Sequence, residues 1–552
     1  MTPEQHFPTG TDEPAAAPPP GCPAHGVGAG GLRRLYGPGA EDLAAVYEEL
    51  RGVHGPVAPA LLHDDVPLWV VLGHAENLRM VSTPAVFTRD SRTWTPLREG
   101  MVKPDHPLMP HIAWQPIASH AEGEEHVRLR GAVRSAIGTI DSRGLRRHIN
   151  RHSQRLVNRF CERGRAELIS QFADHLPMAV MCEVLGMPEE YGDRLVHSAR
   201  DMLKGTDTAI ASNEYVMAAL TRLTASRREN PGTDFASHLV RHPAGLSDAE
   251  ISEHLRLVLI AAYEATANLL GNVLLTVLAD PRFRAQLNGG QMTVPEAVEQ
   301  SLWDEPPFSS VFAYFAKQDT ELGGQRIREG DGLLFGIAPG NVDPRVRPDP
   351  TAHMQGNRSH LAFGGGPHEC PGQDIGRAIA DIGVDALLLR LPDAELAVSE
   401  DELTWTASIA SQHLVELPVH FAPRPQQDVR VVPSIMQRQR RPDDWRIGAP
   451  EPRPVGSAEP EPAPAERPFA KQSIFDPAFA ARSSAAGATS GVPSAPGVPS
   501  APAALAEPSV PSTPGGSGAP EASASAPVAA AAPERDRPAG AWQRFLRWWR
   551  GY

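Results

Sequence analysis

Phe363-Gly364-Gly365-Gly366-Pro367-His368-Glu369-Cys370-Pro371-Gly372 is the stretch on which the reading of this chain turns. It is a glycine-rich loop that presents one cysteine and runs into Gln373-Asp374-Ile375-Gly376-Arg377-Ala378-Ile379-Ala380, whose pattern predicts a helix. Glycines let the backbone take dihedrals closed to other residues and let a large flat ligand come close. A cysteine just ahead of a helix N-terminus feels unpaired N–H groups and the positive end of the helix dipole. Both favour the thiolate, the form that ligates metal. His368, two residues away, could meet a carboxylate on the same ligand. The plainer alternative is a glycine turn with an incidental buried cysteine.

Composition bounds the rest. The chain has 552 residues, more than one small core needs. Its net charge is −14, with 66 acidic against 52 basic residues, which argues against nucleic acid as a partner. The 4 cysteines, Cys22, Cys161, Cys182 and Cys370, show neither metal-finger spacing nor a disulfide framework, as expected of a reducing cytoplasm. The N-terminal stretch lacks a basic segment followed by an apolar core, so no signal peptide is expected. The most apolar run, Leu255 to Leu278, is interrupted by Arg256, Glu264, Asn268 and Asn272 and reads as a buried helix, not a membrane span.

Taken in order, residues 1–30 are Pro, Ala and Gly with little to bury and are expected to be disordered. Residues 31–422 have ordinary globular composition. Residues 423–540 turn to Pro, Ala, Ser and Gly, with a short tandem repeat at 492–502, and read as a flexible linker. Within the globular part, apolar residues three and four apart predict helices around 41–51, 126–137, 140–163, 173–185, 190–203, 213–229 and 248–278. Pro295 opens one more. Strand signals are fewer: 68–72, then 321–327 with Gly323-Gly324 as a hairpin turn, then 333–335.

Two further stretches carry chemistry. In Gly123-Glu124-Glu125-His126-Val127-Arg128-Leu129-Arg130, His126 and Arg130 are four apart and share a helix face. Such a pair can clamp a carboxylate, and a solvated basic face is the alternative. In Leu259-Ile260-Ala261-Ala262-Tyr263-Glu264-Ala265-Thr266-Ala267-Asn268, one acid, Glu264, stands mid-helix among mostly small and apolar residues. With the cysteine loop, these stretches resemble the cytochrome P450 family. Its signature Phe-Gly-x-Gly-x-His-x-Cys-x-Gly is matched at every fixed position, by Phe363, Gly364, Gly366, His368, Cys370 and Gly372. The resemblance covers roughly residues 32 to 421.

The resemblance implies a mainly α fold with a small β-sheet region, between disordered N- and C-terminal tails. It implies heme b (iron protoporphyrin IX) ligated by Cys370, with His126, Arg130 and His368 on the propionates and Phe363, Gly364, Gly366 and Gly372 around the macrocycle. The expected activity is oxidation of a small organic substrate with dioxygen. Electrons would come from a separate ferredoxin and ferredoxin reductase, since no flavin or nicotinamide fingerprint appears. The family's central helix carries an acid followed directly by a threonine that relays protons. Here Glu264 holds the acid position, Ala265 follows, and Thr266 stands about 100° further round the helix. Glu264 and Thr266 are the catalytic candidates. A buried structural pair is the alternative for Glu264.

Two further departures stand out. The family's Glu-x-x-Arg pair falls on Gln300 and Trp303, so both charges are lost together, as in a streptomycete branch carrying the same Glu-Gln-Ser-Leu-Trp run. Trp303 is expected to pack where a guanidinium would lie, and Arg358 is a candidate for the arginine that bridges to the pair. Tyr314 stands where a propionate arginine is common, predicting a weaker anchor there. Substrate contacts are expected from 91–115, with Trp94, Met101, Met109 and Trp114. Finally, residues 541–552 place Trp542, Phe545, Leu546 and Trp549 at helical spacing among arginines, a pattern of membrane-surface or protein docking. The protein is thus expected to be cytoplasmic, possible attachment at a membrane periphery included. A haem-binding interaction or signalling component, or a peroxide-driven oxygenase, are the alternative functions.

Overall fold

The computed structural model describes residues 32–429, except 38, 39, 41, 104, 105, 107, 108, 205–207, 351, 355, 408 and 409. The expectations for residues 1–30, for the linker beyond 429 and for the 541–552 segment lie outside the described residues.

The helices follow the apolar periodicity closely. In chain order they are α1 (Leu43–His54), α2 (His74–Val81), the single turns α3 (Thr95–Arg98) and α4 (Met109–Ile112), α5 (Gly123–Gly138), α6 (Ser142–Asn158), α7 (His175–Leu185), α8 (Gly192–Lys204), α9 (Ala209–Glu229), α10 (Phe235–Arg241), α11 (Asp248–Ala279), α12 (Pro281–Asn288), α13 (Val294–Asp304), α14 (Ile337–Asn341) and α15 (Gln373–Arg390). Starts are set by side-chain caps. Asp42 accepts the Ala45 N–H, and Asp141 accepts those of Arg143 and Gly144. Ser247 with Glu250, and Thr293 with Glu296, close reciprocal capping boxes on α11 and α13. Pro295 sits at the start of α13, where a missing N–H costs nothing.

α11 organises the interior. Its C-terminal half, from Leu269 to Leu278, packs with α6, α7, α13 and α15 in one apolar core. Its N-terminal half, including Ile251, Leu255 and Leu259, joins α5, α8, α9 and α10 in another. The helix is long and apolar enough to cross a membrane, yet packing on both cores makes it an internal helix, as its interrupting polar residues imply.

The strands are β1 (Arg33–Arg34), β2 (Val57–Leu62), β3 (Val66–Val71), β4 (Phe87–Thr88), β5 (Arg165–Glu167), β6 (Ser310–Ala316), β7 (Thr320–Leu322), β8 (Gln325–Ile327), β9 (Gly332–Gly336), β10 (Glu395–Leu396), β11 (Trp405–Ala407), β12 (Gln412–Leu414) and β13 (Pro418–His420). A six-stranded sheet runs β1-β2-β3-β9-β6-β4, and smaller sheets pair β10-β13-β5, β11-β12 and β7-β8. The expected hairpin is β7-β8, turned by Gly323 and Gly324 at φ 59° and 81°, dihedrals that favour glycine. Asn77 staples α2 to the main sheet: its amide donates to the carbonyls of Val71 and Gly336 and accepts the Gly336 N–H.

The expected domain end at 422 falls short. Arg424 donates its N–H to the Cys161 carbonyl and pairs with Asp393 at 2.9 Å, Arg390 reaches the Pro425 carbonyl, and Asn158 holds Gln427 through two hydrogen bonds. Polar side chains on α6 and α15 thus secure a segment whose composition alone reads as linker.

Candidate active site

The cysteine loop is held in place before any chemistry is considered. The Cys370 N–H donates to the Phe363 carbonyl at 2.8 Å, closing the glycine turn on itself. Gly364 and Gly366 take φ of 71° and 63°, which side chains rarely adopt. A Cβ on Gly366 would lie 2.1 Å from the Val81 carbonyl oxygen, so only glycine lets the loop press against the end of α2. A Cβ on Gly364 or Gly372 would meet nothing within 4 Å. Those two positions border open space beside the cysteine, as a planar ligand requires. Cys370 keeps accessible surface there, whereas Cys161 and Cys182 are buried. Burial pushes the Cys182 thiol up to about 12, which marks it as inert packing.

The thiolate expectation for Cys370 is corrected in one respect. Burial raises its pKa above the ordinary thiol value, outweighing the Gly372 N–H and the Arg130 charge that pull it down. Desolvation beats the helix end here. A metal cation at the sulfur is what would secure the thiolate.

His126 and Arg130 share one face of α5, as their spacing predicts, and that face meets the cysteine loop. The Arg130 guanidinium donates to the Glu369 carbonyl, and the His126 and His368 rings lie 4.3 Å apart. His126 Nε2, Arg130 Nε and His368 Nε2 are buried without a hydrogen-bond partner. Glu122 Oε1, 3.5 Å from His368 Nε2, is within charge-pairing range but beyond a hydrogen bond. Burial, then the neighbouring His368, holds His126 down at about 4. His120 is likewise near 4, through burial, Arg89 and His368. Buried donors facing no acceptor are rare. Here they converge beside the cysteine, and they fit the two carboxylates of a haem.

α11 passes over the same region. In the middle of this helix Ala261 is exposed and Leu257, Glu264, Ala265 and Asn268 are half-buried, while Leu259, Tyr263, Thr266 and Ala267 are buried, so the two faces differ. Burial raises Glu264 to about 7, so it titrates around neutral pH instead of being fully ionised there. The imidazole facing it is that of His413 on β12, a residue the sequence reading did not single out. His413 Nε2 lies 3.7 Å from Glu264 Oε1. Asn268 donates to the Pro307 carbonyl, and its Oδ1 accepts from His413 Nδ1 at 2.7 Å. That leaves Nε2 of the neutral ring as an acceptor toward Glu264, alongside Ser411 Oγ at 3.1 Å. No spacing signal could have found His413, 149 positions further along the chain from Glu264.

Thr266, expected as a catalytic partner of Glu264, is not brought to it. Two positions on, it is turned about 200° round the helix. It is buried at 4 % exposure, and its hydroxyl lies 3.8 Å from where a Cβ on Gly376 of α15 would stand. Tyr263 is also buried, with its hydroxyl 3.3 Å from Asp174. Among the residues expected at the substrate pocket, Trp94 is fully buried edge-on against Phe312 and is core. Trp114 lies under the Arg92 guanidinium at 4.0 Å, and Met101 is exposed.

The ion-pair reading of α13 also changes. Gln300 and Trp303 are neutral, as the sequence says, but the helix is not without a buried charge. Glu299 pairs with Arg377 of α15 at 2.5 Å, with His360 at 3.1 Å and with the exposed Arg358 at 3.4 Å. Despite its burial, hydrogen bonds from His360 and Arg377 bring Glu299 down to about 2. The carboxylate has moved by one position, and its main partner comes from the helix that follows the cysteine. The Arg377 guanidinium also lies 4.4 Å from the Phe363 ring centre. Trp303 does stand in for a donor, giving its indole N–H to the Asn357 carbonyl at 2.9 Å. Gln300 accepts the Met354 N–H, and Asp304 pairs with Arg347 at 2.7 Å. Asn341 donates to the carbonyls of Leu302 and Trp303 and accepts the Leu361 N–H, tying α13 to the approach of the cysteine loop.

No family model matches the chain. It is similar to the cytochrome P450 monooxygenase PikC of Streptomyces venezuelae, 30% identical over 398 residues that cover 69% of this chain and 92% of that protein. It is also similar to the 2-hydroxy-5-methyl-1-naphthoate 7-hydroxylase of Streptomyces carzinostaticus, 29% identical over 382 residues, 67% of this chain and 93% of that one. Among solved structures, a testosterone-bound P450 from a Streptomyces species matches at 26% identity and a TM-score of 0.65, over 70% of this chain and 98% of that one. A myxobacterial cytochrome P450 in complex with myristic acid matches at 29% identity and 0.62, over 70% and 98%. With the glycine-bound cysteine and the converging buried donors, these similarities establish that the chain belongs to the cytochrome P450 family of haem-thiolate monooxygenases.

Proposed function

We propose that this P450 oxidises a small organic molecule with electrons from a separate ferredoxin and ferredoxin reductase, and that Glu264 and His413 together deliver the protons. In this reading Cys370 Sγ ligates the haem iron. His126, Arg130 and His368 bind the propionates, and Phe363, Gly364, Gly366 and Gly372 shape the loop against the macrocycle. The observation that carries it is the set of buried, unpartnered nitrogens on His126, Arg130 and His368 beside Cys370. When bound, haem supplies dioxygen activation, so that R–H, O2, two electrons and two protons give R–OH and water.

The protein's own part is proton supply and exclusion of water. Glu264, raised to about 7 by burial, can both hold and release a proton at its carboxyl near neutral pH. His413 Nε2, 3.7 Å away, can exchange it through one water or a small rotation. Asn268 fixes the tautomer that makes this direction possible. Thr266 is left out of the path by its orientation toward α15. The substrate class is suggested by the relatives, whose names specify a naphthoate hydroxylase and a mycinamicin hydroxylase/epoxidase.

The test is turnover reconstituted with a ferredoxin, its reductase and NADPH, following product, peroxide and NADPH together. Wild type is expected to couple NADPH to product. Glu264→Gln and His413→Ala are each expected to divert roughly ten-fold more of it to peroxide, the low end of what a lost acid–base group costs. Unchanged coupling in both variants refutes the proton path. Faster product formation with added peroxide than with dioxygen favours the peroxide-driven reading instead.

A further inference from the structure

We infer that Arg89 is an additional propionate-binding residue, supplying from the position just after β4 the positive charge that Tyr314 cannot supply from β6. The inference rests on the haem reading above and adds a residue to it.

β4 and β6 are antiparallel, with Phe87 opposite Ala316 and Thr88 opposite Phe315. Continuing that register by one position sets Arg89 opposite Tyr314. Side chains directly opposite on neighbouring strands share a face and start about 5 Å apart. A group needed at one point beside the sheet can therefore be presented from either strand. The two residues do meet: the Arg89 guanidinium carbon lies 5.0 Å from the Tyr314 ring centre. Tyr314 is buried, and burial raises its hydroxyl above the ordinary phenol range, so it remains neutral.

Arg89 also belongs to the cluster of nitrogen-bearing side chains around the cysteine loop. Its Nε is buried without a hydrogen-bond partner, the same condition as His126 Nε2, Arg130 Nε and His368 Nε2. Its backbone N–H donates to Glu122 Oε1 at 2.7 Å, and that oxygen is the one 3.5 Å from His368 Nε2. The backbone anchor thus brings Arg89 to the His368 side of the site. Glu122 is the carboxylate beside His126 and His368, and its Oε1 also accepts from the Thr88 hydroxyl and the Arg89 N–H, whereas Arg130 has Glu369 as its acidic neighbour. Two guanidiniums and two imidazoles, each with a buried nitrogen lacking a partner, offer donors for a dianion. A forked guanidinium is the side chain best suited to a planar carboxylate.

The test is haem retention, read as the rate of haem transfer from the purified holoprotein to apomyoglobin. Arg89→Leu is expected to release haem roughly 10- to 100-fold faster, the range for one charge-assisted hydrogen bond. The double variant Arg89→Leu/Tyr314→Arg returns the charge from the opposite strand and is expected to recover most of the loss. Reconstitution with the haem dimethyl ester, which lacks free carboxylates, removes the difference between wild type and Arg89→Leu. Wild-type release rates in Arg89→Leu overturn the inference. So does an equal loss with haem and with its ester, which would mean that the substitution only loosens the fold. A wild type that takes up no haem through Cys370 overturns the parent reading, a result distinct from either.

Discussion

Arg377→Met is the substitution that most sharply separates the ion-pair account of α13 and α15 from simple packing. Glu299 and Arg377 are both buried, at 6 % and 8 % exposure, and lie 2.5 Å apart. The Glu299 carboxyl drops from its ordinary 4.5 to about 2, which corresponds to roughly 3 kcal/mol of preference for the charged form in the fold. Removing the guanidinium leaves that carboxylate with only His360 and the exposed Arg358, which costs up to about 3–5 kcal/mol. Glu299→Gln/Arg377→Met leaves no charge stranded and is expected to cost about 1–2 kcal/mol. Over a domain of about 400 residues the single change lowers the melting temperature by roughly 4–6 °C. The pH dependence has a definite sign. Because the folded pKa is depressed, the stabilisation is present above about 4.5 and is lost as pH falls through about 2. The assay is melting of the four holoproteins of the cycle at pH 7 and at pH 3. The account expects a coupling of about 2–3 kcal/mol at pH 7 that shrinks at pH 3. Single-variant costs that simply add, at both pH values, refute it.

Further outcomes follow from the same geometry. Glu264 is raised to about 7, so wild type loses stability as pH rises from 4.5 through 7, and Glu264→Gln is expected to be more stable at pH 8 by on the order of 2 kcal/mol and equal at pH 4, checked by denaturant unfolding. Gly366→Ala forces a side chain into positive φ and onto the Val81 carbonyl, and is expected to cost at least about 2 kcal/mol. Gly52→Ala, mid-helix in α1 with nothing within 4 Å, is expected to stabilise by about 0.5–1 kcal/mol in the same melting assay. Trp303→Phe keeps the ring but leaves the Asn357 carbonyl unpaired, an expected cost of about 1–2 kcal/mol by thermal melting.

Helices were legible in the sequence because their signals are local. The apolar period, the Ser247 and Thr293 capping boxes and Pro295 all act within a turn or two. Much of the sheet was not. β2 carries Pro59, which reads as a strand breaker, yet its partner β3 supplies the pairing from the next hairpin arm. β6 is apolar almost throughout, a pattern shared with a buried helix, and only its register with β9 and β4 makes it a strand. At the site, Cys370, His368, His126 and Arg130 were legible from loop chemistry and helical spacing. Glu299–Arg377, Glu264–His413 and Arg89–Tyr314 were not, since each joins segments at least 78 positions apart and depends on which side chain an element turns inward. The loss of charge at Gln300 and Trp303 was read correctly. Its compensation lay one residue earlier, on the face that packs against α15.

The central claim is that the sulfur of Cys370 ligates haem iron. The most direct test is the ferrous carbonyl difference spectrum of the purified holoprotein beside Cys370→Ala prepared in the same way. The account predicts a strongly red-shifted thiolate band in wild type and none in the variant. A wild-type spectrum without that band, or one that survives removal of the sulfur, contradicts it.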